Sequence, residues 1–214
     1  MGPRYSVISA MVLVALLAPL PARADSPLTS TPFHDAYLDV PLVARTAETR
    51  ELDPETARFL ADPEQLIGVK LAVVNALGWS LEGTAHAPAY LALLGRSTST
   101  EAFDLAPHDA LCVGYMLALD DYFHPGPALR FVDHAAAQMP RSLAAALVRA
   151  LVRAQVAMES DWCQVWREVE EVLARAERGE LDSDLRPEAV AIIVDYVQGY
   201  AEYCAESASP ESMD

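Results

Sequence analysis

The sequence predicts an all-α protein of seven to eight helices, stacked as antiparallel helix hairpins behind a cleaved leader. Three observations carry that expectation. Apolar residues recur at i, i+3, i+4 and i+7, most regularly at Trp162, Val165, Trp166, Val169, Val172, Leu173 and Ala176. Start and stop signals bracket such stretches: Asp-Pro-Glu, Ser and Asp caps, then Gly or Pro. No stretch sustains the apolar–polar alternation of a half-buried strand, so no sheet is expected.

Taken in order, residues 1–24 read as a secretory signal peptide. Arg4 gives the positive start, Ser6 to Leu20 the apolar run, and Ala22-Arg23-Ala24 the small-x-small site, so cleavage is expected between Ala24 and Asp25. The run is short for a bilayer of about 30 Å, and no later segment is long and apolar enough, so the mature chain is expected to have no membrane span. Residues 25–52, with Pro27, Pro32 and Pro41, read as an extended lead-in whose Phe33, Tyr37, Leu38 and Leu42 pack onto the core. Residues 53–205 form the single helical domain, and 206–214 a disordered tail.

Within the domain, Asp53-Pro54-Glu55 and Asp62-Pro63-Glu64 repeat one start signal. The Asp caps free N–H groups, Pro suits the first turn, and the acid suits the positive helix end. They predict helices over 54–61 and 63–79, the second with Leu66, Val69, Val73, Val74 and Leu77 on one side. Further helices are expected over 86–94, 107–123, 127–138 and 142–158, with Thr98 and Glu101 as a capping box between the first two. Ser160 and Asp161 cap the next, which Gly179 closes, and Pro187 opens the last, ending near Cys204. Trp162 and Trp166 are expected in the core.

Two arrangements of the hairpins fit the pattern: an open helical-repeat superhelix or an irregular bundle closed round one core. Over residues 110–140, Ala128, Val132, Ala135 and Pro140 occupy the small, bulky, small and proline positions of a second repeat helix. This segment resembles one tetratricopeptide repeat, with Met116 and Leu119 at that repeat's glycine and tyrosine positions.

The charge balance excludes whole function classes. Fifteen basic and 31 acidic side chains give a net charge of −16. Such a chain repels nucleic acid and anionic membrane surfaces. Lys70 is its single lysine. From Glu159 onward there are 15 acids and four arginines, a composition that keeps an exported protein soluble or offers a surface to a basic protein partner.

Export also implies an oxidising compartment. Cys163 lies at the start of one helix and Cys204 at the end of the next, so a hairpin bent near residues 179–186 brings them together at its open end. A Cys163–Cys204 disulfide is expected. Cys112, among Leu111, Val113, Met116 and Leu117, is expected to be a buried, inert thiol.

The densest polar cluster is His108, Asp109, Asp120, Asp121, His124, Asp133 and His134. At i, i+4, Asp120 and His124 can share one metal ion, with His108, His134 or His86 as third ligand. The bland reading has the acids at a helix end and His124 capping it. His108-Asp109 resembles the paired residues of helical metal-dependent phosphohydrolases, which would imply a hydrolase with His86 as the preceding ligand. Cys112-x-Gly114-Tyr115-Met116, followed by Asp121, resembles a motif of small periplasmic immunity proteins that neutralise secreted cell-wall amidases; Ala118 stands where that motif prefers glycine. The resemblance implies an inhibitory binding role. A nucleophile elbow, a phosphate-cradling Gly-rich loop and a His-Glu-x-x-His pair are absent from the sequence. No cofactor is implied. The balance leans away from catalysis and toward an exported binding module of unknown partner.

Overall fold

The structure, a computed structural model, describes residues 25–206. The expected leader and most of the expected tail lie outside the described residues. Those described are all-helical, with no strand and a single isolated bridge between Ser142 and Asp182.

The lead-in is not extended as expected. It holds a 3-10 turn, Phe33–Tyr37, and helix α1, Pro41–Thr49. Pro41 opens α1 because its fixed φ suits a first turn and its missing N–H costs nothing there. The helix lacks an obvious apolar stripe because Thr46 takes one buried position, its hydroxyl donating to the Leu42 carbonyl at 2.8 Å. Phe33 and Tyr37 are buried as expected, but Leu38 is exposed.

The two Asp-Pro-Glu copies diverge. Asp53 caps α2 (Pro54–Ala61), its Oδ1 accepting from the Thr56 N–H at 2.7 Å. Asp62 instead accepts from the Glu64 N–H at 3.0 Å and the Gln65 amide at 2.8 Å, closing a turn. Helix α3 therefore starts late, at Ile67, and runs to Leu77. Lys70 to Leu77 are buried all round, so α3 is a central helix without a solvent stripe, and Leu66 stands 73% exposed.

Helices α4 (His86–Leu93), α5 (Pro107–Asp120), α6 (Leu129–Gln138) and α7 (Leu143–Ala157) follow the expected order. The Thr98–Glu101 capping box does not form: Glu101 makes no side-chain cap and reaches Arg130 instead. Ser142 and Asp161 do cap α7 and α8 (Trp162–Glu177), accepting from the Ala145 and Gln164 N–H groups. The last expected helix is broken into α9 (Pro187–Val197), a 3-10 turn over Gln198–Tyr200, and α10 (Glu202–Glu206).

Helix α5 contacts α2, α3, α4, α6 and α7. It approaches α6 closely because Gly114 has no side chain: a Cβ there would lie 2.8 Å from Val132 Cγ1 and 3.0 Å from its backbone nitrogen. The end of the fold folds back onto its beginning. Helix α9 packs against the first 3-10 turn. The Arg186 N–H donates to the Tyr37 hydroxyl at 2.9 Å, and the Arg186 side chain donates to the Ala36 carbonyl and the Asp39 carboxylate.

Candidate functional site

The polar cluster read from the sequence is spread over separate structural tasks. Asp120, 7% exposed, ends α5 and serves the start of α4. Its carboxylate accepts from the Thr84 hydroxyl, from the His86 N–H at 2.9 Å and from the Ala87 N–H at 2.8 Å. Ala85, at the N-cap of α4, has no side chain to do this, so the cap comes from 35 positions away. His124 is exposed, and its ring's one polar partner among the described residues is Asp121, at 3.2 Å. His108 Nε2 lies 3.3 Å from the Ala61 carbonyl and 3.6 Å from Asp109, tying α5 to the end of α2. His134 is half-buried on α6 beside Asp133, whose carboxylate accepts from Arg149 and Arg153. Burial pushes the Asp133 carboxyl up, and the two guanidinium groups outweigh it, leaving it lowered. Among the described residues, no three His, Cys, Asp or Glu side chains are grouped to hold a metal ion.

A buried cation escaped the sequence reading. Lys70 is 1% exposed, and its Nζ has no hydrogen-bond partner among the described residues. Burial lowers the ammonium from the ordinary lysine value, against the opposing pull of Cys112, Asp109 and Asp62. Asp109 is itself engaged by the Tyr90 hydroxyl at 2.7 Å. The available signal was compositional: one lysine, within an apolar run, in a chain that otherwise uses arginine. Cys112 beside it is fully buried, and burial pushes its thiol up to about 12, which makes it a poor nucleophile.

The remaining motif residues are also structural. Gly114 admits α6. Tyr115 is buried, stacks on Phe33 at 6.1 Å, and its hydroxyl accepts from the Asn75 amide at 2.8 Å. Asn75 also donates to the Thr31 carbonyl and accepts from the His34 N–H and Nδ1, so one side chain joins the lead-in to α3 and α5.

A different surface emerges at the start of α8 and along α10. Cys163 and Cys204 stand at disulfide distance, with sulfurs 2.13 Å and α-carbons 4.6 Å apart. Trp162, expected in the core, is 48% exposed, and Trp166 is half-buried. As the first residue of α8, Trp162 projects before the buried stripe of Cys163, Val165, Val169 and Val172 is established. Its ring meets Tyr203 edge-on at 4.8 Å and Tyr200 at 6.3 Å, and Tyr200 lies 5.7 Å from Tyr196. Exposed Glu159 and Asp161 precede Trp162 in sequence, and exposed Glu202 precedes Tyr203. Burial raises the Tyr196 hydroxyl well above the ordinary tyrosine range and also raises that of Tyr200, and Asp25 beside them adds to it. The patch combines aromatic edges and faces with carboxylates, a chemistry suited to cations.

No protein-family model matches the chain, and neither does any curated protein or solved structure compared with it.

Proposed function

We propose that this is an exported binding module whose contact surface is the aromatic and acidic patch of α8 and α10, and whose partner is a protein segment rich in arginine or lysine. The observation that carries the reading is Trp162, exposed among Tyr200 and Tyr203, with the exposed acids Glu159, Asp161 and Glu202 close in sequence to these rings. Aromatic faces attract guanidinium and ammonium groups. Trp and Tyr are over-represented among residues that dominate binding energy, and carboxylates steer a basic partner toward them. Export is supported by the leader pattern of residues 1–24 and by the cysteine pair at disulfide distance, which suits an oxidising compartment. No helix among the described residues is long and apolar enough to cross a membrane. An immunity or inhibitor protein acting on a basic secreted effector is one form such a module takes.

The test is capture from the extracytoplasmic fraction with the mature protein, followed by elution with salt. A basic protein that is retained, released as salt rises, and lost with Trp162→Ala supports the reading. A partner retained equally by Trp162→Ala refutes it.

A further inference from the structure

A second site lies far from that patch in sequence. A cavity of about 150 Å³ opens between the lead-in, the end of α1 and the end of α3, and Thr29, His34, Arg50, Asn75, Gly78 and Trp79 are among its lining residues. Among the described residues, no Asp or Glu lines it. Arg50 is exposed at its edge and enters no salt bridge among the described residues, whereas Arg45 of the same helix pairs with both Asp53 and Glu55.

The backbone is arranged to keep Arg50 there. It is the one described non-glycine residue with positive φ, at 55°. The Arg50 N–H closes α1 onto the Thr46 carbonyl at 2.7 Å, a position where glycine is usual. The side chain then lies along Gly78 (φ 74°), its Nε at an ordinary contact distance, 3.6 Å, from where a Cβ would stand. Trp79 follows directly, held by its indole N–H to the Thr29 carbonyl at 3.3 Å. His34 turns Nδ1 to Asn75 at 2.6 Å, and its Nε2 lies 3.5 Å from the Asp35 carboxylate.

We propose that this cavity binds a small organic carboxylate. The guanidinium takes the carboxylate, and the apolar body rests among Trp79, Leu28 and Leu119. A space near 150 Å³ admits a guest of about benzene size.

The experiment is a titration of the mature protein with acetate, butyrate and benzoate, followed by calorimetry and by the amide and indole NMR signals. Benzamide and inorganic phosphate serve as controls. Saturable binding of benzoate, with shifts centred on Arg50 and the Trp79 indole and no comparable binding of benzamide, is the expected result. Arg50→Gln weakens that binding about tenfold or more. Arg50→Gly abolishes it without lowering the melting temperature, since glycine suits the backbone better. The proposal is overturned if no carboxylate saturates, if phosphate binds more tightly than benzoate, if Arg50→Gln binds as its parent does, or if Arg50→Gly melts well below it.

Discussion

The half of the molecule from the lead-in to α6 holds the described polar and charged residues that are buried, whereas the half built by α7 to α10 buries apolar stripes, the Gln155 Oε1 on α7 excepted. Every buried polar or charged residue described, from Ser26 through Lys70 and Asn75 to Asp120, lies in the first half. In the second half, buried positions are apolar stripes, and charges such as Arg141–Asp182 and Arg178–Glu180 pair at the surface. Of the side chains that look catalytic as a sequence cluster, His108, Asp109 and Asp120 are engaged within the first half, Asp133 ties α6 to α7, and His124 is exposed beside Asp121. The surface best suited to contact lies in the second.

That contrast can be broken at its strongest point by Asp120→Ala. The change strands a hydroxyl and two N–H donors at the start of α4. The expected loss is about 3–5 kcal/mol of unfolding free energy in denaturant titration. A loss below about 1 kcal/mol would return Asp120 to the list of functional candidates.

In the second half the comparable element is covalent. With the Cys163–Cys204 bond formed across 41 positions, Cys163→Ser is expected to cost about 3–4 kcal/mol. The melting temperature of the parent should fall with reductant, and that of the variant should not change.

Lys70 sharpens the comparison by a gain. Replacing a buried ammonium that lacks a hydrogen-bond partner by methionine is expected to stabilise the protein by about 1–2 kcal/mol at neutral pH. The sign with pH follows from burial. Folding lowers the Lys70 pKa, so the unfolded chain holds more protons between that lowered value and the ordinary 10.5. The parent therefore gains stability as pH rises through this window, and Lys70→Met removes the gain. Cys112 acts oppositely. Its pKa is raised from 9.0 to about 12, so the stability it contributes fades as pH rises above about 9. The Lys70 slope is therefore read below that pH, from denaturant midpoints of both proteins.

The smallest effect is expected from His124→Ala. The ring is exposed and its one polar contact among the described residues is Asp121, so the change should stay within about 0.5 kcal/mol.

What was legible in the sequence follows the same division. The α8 stripe and the caps Asp53, Ser142 and Asp161 are local patterns, and the folded chain uses them. The cysteine pair was legible because a hairpin fixes which ends meet. Long-range uses were not legible. Asp120 capping α4, Asn75 joining three segments and Arg186 reaching Tyr37 depend on partners about 35 to 150 positions away. The second Asp-Pro-Glu failed as a helix start because Asp62 turns to Glu64 and Gln65. Trp162 was misplaced because periodicity marks a helix side, but cannot tell that the first residue of α8 overhangs its end.

The most direct measurement compares partner retention by two variants of the mature protein. One carries Glu159→Gln, Asp161→Asn and Glu202→Gln around Trp162; the other carries His124→Ala and His134→Ala in the sequence cluster. Loss of the salt-released basic partner in the first, with full retention in the second, is the predicted result. Retention by the carboxyl-neutralised variant together with loss from the histidine variant would contradict it.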